Sequence, residues 1–292
     1  MPEKQTILNR LRAKAAAGVP IIGTGAGTGL TGKAEAEGGA DLIIAYATGS
    51  FRMAGRSSLA GRFAASNANA AVLRMMDELI PLAGDTPVLG GVFVQDPFCD
   101  LNRLLTQLEK SGCAGVQNIP GMGGQAIMEG EEIVRQLDAL GSGFDAEVEF
   151  IRTASRRGFL TTPYCSQPEH IEKMANAGAD IFVLHMGLTG RAQDKAMAVT
   201  PLEECAEKIR QLAEIAAAVR PDALVLAHGG PIVEPEDLAQ LMRRCPHLHG
   251  FYGASSIERI PVEEQVCGGV RQYKNLTLNR QQRRREAGTE KR

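Results

Sequence analysis

Leu224-Val-Leu-Ala-His-Gly-Gly230 is the stretch on which the fold turns. Its apolar residues form a short buried strand, which breaks on His228 and two glycines, and Pro231 blocks continuation. The pattern returns at His249-Gly-Phe-Tyr-Gly-Ala-Ser-Ser256. A buried strand ending in Gly-Gly, then another ending in Gly-Ala-Ser-Ser, is how many (β/α)8 barrels build an anion site after their last two strands. Glycines let backbone N–H groups approach a phosphate or carboxylate closely. On this reading Gly229, Gly230, Gly253, Ala254 and Ser255 hold the anionic end of a ligand. Six similar strands must then precede them.

Six such runs are present: 19–23, 41–46, 87–94, 115–120, 159–164 and 180–186. Helical periodicity occupies 3–17, 34–38, 66–80, 101–110, 126–140, 145–157, 168–177, 201–219, 235–244 and 261–275. Gly112 is placed to stop one helix, Pro168 opens another, and Thr200-Pro-Leu-Glu203 reads as a capping box. Near-continuous Val/Ile/Leu runs suit parallel strands buried on both faces. Eight β-then-α units favour closure into a (β/α)8 TIM barrel over an open doubly wound sheet. Residues 1–276 are expected to form this single domain. Residues 277–292 are dense in charge without apolar period and read as a solvated tail or a basic contact.

Composition narrows the function. The 292 residues carry a net charge of −2, which gives no general pull toward nucleic acid or anionic membrane. Trp is absent and aromatics make up only 4%, which disfavours a base-stacking RNA surface. The six cysteines include no C-x-x-C pair, so reduced thiols in a cytoplasmic protein are expected rather than a disulfide framework or zinc site. No secretory signal is visible and no apolar run is long enough to span a bilayer. No lysine falls on an expected strand, which disfavours a Schiff-base mechanism.

The loops carry the chemistry. The first strand runs into a glycine loop, where Gly23 and Gly25 would offer backbone N–H groups to a ligand. Gly27-Thr-Gly-Leu-Thr-Gly-Lys33 nearly matches a P-loop, but position 34 is Ala, so the hydroxyl that would hold Mg²⁺ is missing. The second strand ends at Tyr46-Ala-Thr-Gly49 without the carboxylate a dinucleotide site would want. The long polar stretch 47–61 carries Ser50, Arg52 and Arg56 among small residues. It reads either as an anion-handling lid, since Arg pairs with carboxylate or phosphate, or as a subunit-interface loop. Asp96, just past the third strand, would ligate Mg²⁺ or act as a base, or else cap the following helix or turn. His185 and His228 end the sixth and seventh strands, where paired imidazoles serve as acid and base near neutral pH. Asn118 and Tyr164 close the fourth and fifth strands, placed to orient a carbonyl or oxyanion. His170, His247 and His249 fall on helix or bottom-face positions and read as structural.

Ser50-Phe-Arg-Met-Ala-Gly-Arg-Ser-Ser-Leu-Ala-Gly61, Thr161-Thr-Pro-Tyr164, His185-Met-Gly-Leu-Thr189 and Gly253-Ala-Ser-Ser256 resemble the phosphoenolpyruvate hydrolase-like TIM-barrel family. The same barrel forms the C-terminal half of a plant antiviral resistance protein. The resemblance spans roughly residues 5–275. It implies a barrel related to the phosphoenolpyruvate/pyruvate barrels, often assembled as a homo-oligomer. It also implies cleavage of a C–P, C–C or C–O bond beside a pyruvate enolate with Mg²⁺, as in phosphonopyruvate hydrolysis.

Two functions follow. In the first, the chain is an enzyme acting on a small anionic 2-oxo acid or enol phosphate. Arg52 or Arg56 closes over the anion, Asp96 binds Mg²⁺, and His185 or His228 moves the proton at the enolate carbon, with Tyr164 beside them. In the second, the chain is a ligand-binding or protein-interaction barrel without turnover. Strands two and four end without carboxylates, which favours the second reading; Glu149 is the further acid that would reach the site.

Overall fold

The computed structural model describes residues 3–58, 67–119, 130–190 and 200–276. Leu59 to Gly61 of the arginine stretch, the start of the expected 126–140 helix and the charged tail lie outside them. In chain order the elements are α1 (Lys4–Ala16), β1 (Ile21–Ala26), α2 (Gly29–Glu37), β2 (Leu42–Ala45), α3 (Ala47–Met53), α4 (Ala68–Leu79), β3 (Val88–Val92), α5 (Leu101–Ser111) and β4 (Gly115–Asn118). They continue with α6 (Glu131–Ala139), α7 (Phe144–Arg156), β5 (Leu160–Thr161), β6 (Tyr164–Cys165), α8 (Pro168–Ala177), β7 (Ile181–His185), α9 (Leu202–Val219), β8 (Leu224–His228), α10 (Pro235–Arg244), β9 (Gly250–Gly253) and α11 (Arg259–Lys274).

All strand pairs are parallel, in the order β5-β4-β3-β2-β1-β9-β8-β7-β6. β5 and β6 are the two halves of the expected fifth strand. Pro163 has no N–H to give the ladder, so the strand breaks there. The ring still closes through the peptide between the halves: Thr162 N donates to Val116 O at 3.0 Å and Val183 N to Pro163 O at 2.9 Å. Two side chains replace the missing ladder bonds. Gln117 Nε2 donates to Thr162 O at 2.8 Å, and Asn118 Oδ1 accepts from Tyr164 N at 2.8 Å. The eight-fold (β/α) barrel expected from the sequence is therefore present, with its seam at Thr162-Pro163.

Strand alternation builds two cores. Leu42, Ile44, Tyr46, Ile181, Val183, Leu224, Leu226 and Tyr252 fill the barrel interior; Ile43, Phe182, Leu184, Val225, Ala227 and Phe251 face the helices. Ile7, Leu8 and Leu11 of α1 join the interior set and plug the barrel end. Burying each such side chain is worth roughly 1.5–3 kcal/mol. Among the described residues, four helices begin with a side-chain cap, at Thr28, Asn67, Asp100 and Glu234. Asp100 accepts from Asn102 N (2.9 Å) and Arg103 N (3.1 Å), Asn67 accepts from Ala70 N (2.8 Å), and Gly112 ends α5 at φ +89°.

Two local expectations fail. The expected capping box at Thr200 does not form, because α9 starts at Leu202 behind Pro201 with no side-chain cap. The polar stretch after β2 is not wholly a loop: Ala47–Met53 is helical, and this short helix turns Arg52 inward.

Candidate active site

The top of the barrel interior is polar where the levels below are aliphatic. His185, His228 and Tyr252 stand in one register row across β7, β8 and β9. Tyr164 joins them from β6: its ring centroid is 4.9 Å from each histidine, and the two imidazoles are 5.2 Å apart. Inward positions of neighbouring strands end in Gln117 and Thr162. Gln117 Oε1 has no hydrogen-bond partner among the described residues, and Tyr252 OH and Thr162 Oγ1 have at most each other. Buried polar atoms are nearly always partnered, so this polar layer is equipped to take a polar guest.

The two histidines hold opposite tautomers. His228 Nδ1 lies 2.8 Å from Tyr252 O, and a carbonyl only accepts, so Nδ1 carries the proton and Nε2 the lone pair. His185 Nδ1 accepts from Gly187 N at 3.1 Å, which puts its proton on Nε2. Burial, with Arg52 nearby, lowers the His228 pKa to about 4 against the opposing Tyr252 carbonyl, so this imidazole is neutral at pH 7. Burial also pushes the Tyr164 phenol well above its ordinary value and keeps it protonated. The layer thus offers a neutral acceptor, an N–H donor and a neutral phenol side by side.

A cleft of about 290 Å³ lies among the segments after β2, β7 and β9, lined by Arg56, Ser57, Ser58, Thr189, Ser255, Arg259 and the acid Glu263. It brings together two residues singled out from sequence, Arg56 and Ser255, though 199 positions separate them. Thr189 belongs to the segment that follows His185. Two guanidinium groups among small hydroxyls suit a phosphate or carboxylate. Arg259 is also paired with Glu263 at 2.8 Å.

Several expected site residues serve the scaffold instead. Arg52 is 2% exposed and pairs with Glu258 at 2.9 Å while donating to Gly25 O at 3.1 Å. It therefore does not close over a ligand. Asp96 accepts from Phe98 N at 3.0 Å in a tight turn and lines an outer groove with residues of α4 and α5, not the mouth. Asn118 is fully buried, with Oδ1 spent on Tyr164 N and Nδ2 donating to Glu147 Oε2 at 2.5 Å. Ser50 is exposed in α3 and bonds Ala47 O at 2.7 Å. Gly23 and Gly25 make room for rings: an added Cβ would sit 2.2 Å from Tyr252 Cε1 and 2.2 Å from Tyr46 OH respectively. Gly230 N is taken by Gly187 O at 3.2 Å, and at Gly229 (φ +74°) a Cβ would lie 2.1 Å from Gly187 O. Ala254 is buried and Gly253 backs onto Ile257. The backbone after β8 and β9 is thus packed, and the anion-type groups sit further out, at Arg56 and Ser255.

Glu149 does not reach the interior; it is on the outer face of α7, paired with Arg152. The acid two residues earlier does. Glu147 is fully buried and takes Gln95 Nε2 at 2.8 Å as well as Asn118. The signal lay in helical spacing, since Phe144, Glu147, Val148 and Ile151 share one buried face. The P-loop-like glycines are already satisfied internally: Gly27 N donates to Glu258 Oε1, Gly29 N donates to Glu78, and Thr28 caps α2 with Thr31. The chain's own carboxylates occupy the place a phosphate would take. His170 stacks on Phe144 at 3.8 Å and His249 accepts from Val225 N at 3.0 Å, in structural roles. His247 shows no contact that brings it near this layer.

The described residues do not by themselves form a set that fits the expected Mg²⁺. Among the described residues no three His, Cys, Asp or Glu side chains converge as a metal set, and Asp96 faces away from the mouth. No described helix is long and apolar enough to cross a membrane.

Comparison with known proteins agrees with this architecture. The tomato (Solanum lycopersicum) proteins named ToMV susceptible protein tm-1(GCR26) and ToMV resistance protein Tm-1(GCR237) are each 45% identical over 278 residues. Both alignments cover 95% of this chain and 36% of the relative, so the chain spans about a third of their length. Among solved structures, 2,3-dimethylmalate lyase, a PEP mutase/isocitrate lyase superfamily member, superposes with a TM-score of 0.59 at 14% identity, covering 96% of this chain and 92% of that one. Phosphoenolpyruvate phosphomutase from Streptomyces platensis subsp. rosaceus gives 0.56 at 14% identity, covering 89% and 84%. These similarities establish the shared barrel fold. A sequence model described as phosphoenolpyruvate hydrolase-like matches residues 6–276, nearly the whole chain, and the protein therefore belongs to the phosphoenolpyruvate hydrolase-like family.

Proposed function

We propose that the barrel is an enzyme of the lyase/hydrolase type that acts on a small anionic 2-oxo acid or enol phosphate through an enolate. The observation that carries this reading is the pair of histidines in complementary tautomers, 5.2 Å apart, beside a protonated tyrosine at the barrel top. His228 Nε2 accepts a proton from the substrate carbon or from water. His185 Nε2–H and the Tyr164 hydroxyl face charge developing on the enolate oxygen, where donors held in place act most strongly. Arg56, Arg259 and Ser255 receive the phosphate or carboxylate. The family name and the neighbouring lyase and phosphomutase structures are in keeping with this substrate class.

The test is pyruvate release from phosphonopyruvate, phosphoenolpyruvate and oxaloacetate, each with Mg²⁺ and with a chelator. Release from one of them that is lost in His228→Gln supports the enzyme reading and names the substrate. A second reading, a ligand-binding or interaction barrel without turnover, is favoured by the internal use of Asn118, Glu147 and Arg52. Saturable binding of these anions with no product would establish it instead.

A further inference from the structure

A second cavity, of about 570 Å³, lies outside the barrel wall between β1, α2 and the start of α11. Its walls include Ile22, Leu30, Ala34, Ile257, Val262 and Val266. One acid lines it. Glu35 is 9% exposed, and neither of its carboxyl oxygens has a hydrogen-bond partner among the described residues. That is costly, since an unpartnered buried carboxyl forgoes its hydration without replacement. The groups around it relieve it only in part: Thr24 and Arg52 favour the ionised form, but burial outweighs them. From β1, Thr24 Oγ1 is turned to Leu42 O at 3.3 Å. From the turn before α11, Glu258 is another acid, and from α3, Arg52 is already committed to it at 2.9 Å. When Glu35 is ionised, this cluster therefore holds one surplus negative charge and unfilled acceptor capacity on its carboxylate, next to a cavity whose walls are mostly aliphatic, with Thr31 and Gln265 as further polar side chains.

We propose that this cavity is a second binding site, separate from the barrel top, for a small primary ammonium compound with an apolar body. The ammonium group supplies donors for both Glu35 oxygens and neutralises the surplus charge, while the alkyl or ring portion covers the aliphatic walls. The cavity volume lies within the range of small-molecule sites. Burial raises the Glu35 pKa to about 7, with Glu258 adding to the rise and Thr24 and Arg52 opposing it. Ammonium binding is therefore stronger above that pH, where the carboxylate forms, and weaker below it.

The experiment is calorimetric titration of the full chain with hexylamine and with hexan-1-ol at pH 6 and pH 8, and light scattering at each concentration. The expected result is one saturable hexylamine site, about ten-fold tighter at pH 8 than at pH 6, with hexanol weaker and insensitive to pH. Glu35→Gln should weaken hexylamine at least ten-fold and leave hexanol unchanged. Val266→Phe, at a residue 60% exposed on the cavity rim, should block both ligands without disturbing the fold. Absence of saturable binding, or equal hexylamine affinity in Glu35→Gln, overturns the proposal. A dimer that excludes hexylamine and falls apart in Val266→Glu also overturns it, because a second copy would then be the occupant.

Discussion

Arg52 Nη2 stands 2.9 Å from Glu258 Oε2 across 206 positions of chain, with both side chains sealed from solvent. The pair ties the short helix after β2 to the turn after β9. Glu258 Oε1 also takes Gly27 N and, at 2.7 Å, Thr31 Oγ1, while Arg52 lies 5.3 Å from the Tyr46 ring centroid. One carboxylate therefore joins three loops around the β1–β9 side of the barrel. Removing one partner leaves the other buried and uncompensated. Arg52→Met is expected to cost about 3–5 kcal/mol in urea unfolding. A double variant with Glu258→Gln should recover part of that loss.

At the seam, Asn118 replaces a ladder bond that Pro163 removes. Asn118→Ala leaves Tyr164 N without an acceptor and withdraws a donor from Glu147. The expected cost is roughly 2–3 kcal/mol, read from denaturant midpoints at unchanged m-value. If the side chain were dispensable, the midpoint would stay where it is.

His228 is buried neutral, so its folded pKa of about 4 lies below the value of an unfolded histidine. The unfolded chain binds the proton more readily between those values. Its contribution to stability is therefore intact above about pH 6.5 and is lost as pH falls toward 4. The loss from this residue is on the order of 2–3 kcal/mol between pH 7.5 and pH 4. His228→Gln should flatten that part of the stability profile. If the proposed reaction is measured in the wild-type protein, its rate should hold on the acid side to about pH 5 and not decline with a midpoint near 6.5.

The outer cleft makes a prediction about binding. Arg56 is exposed, so Arg56→Ala should leave unfolding within about 0.5 kcal/mol of wild type. The same change should weaken phosphonopyruvate binding at least ten-fold, and added salt should weaken the wild type more than the variant. Equal affinities would place the anion elsewhere.

Backbone demands are sharpest at Gly229, which combines φ +74° with a carbonyl 2.1 Å from the position of a Cβ. Gly229→Ala is expected to lose more than about 1 kcal/mol, visible as a lower midpoint, because the alanine must strain the backbone and displace the loop after β7.

Much of the architecture is local and was legible in the chain itself. The order of apolar runs and amphipathic segments defines alternating β and α elements, and the two-residue period puts His185, His228 and Tyr252 on the inward side of their strands. The same period identifies Gln117 and Thr162 as inward-facing. What the sequence could not specify are pairings made by side chains far apart along it. Arg52 looks like a ligand-binding arginine until Glu258 is folded against it. The glycines at 27–32 look like a phosphate loop until Glu258 and Glu78 are brought to their N–H groups. Asp96 and Asn118 occupy the right strand ends, but the turn at Phe98 and the seam at Pro163 use them. Periodicity decides which face a residue lies on, because it depends only on backbone geometry. Tertiary packing decides whether a charge is satisfied, because the balance between desolvation and pairing depends on the groups that close around it.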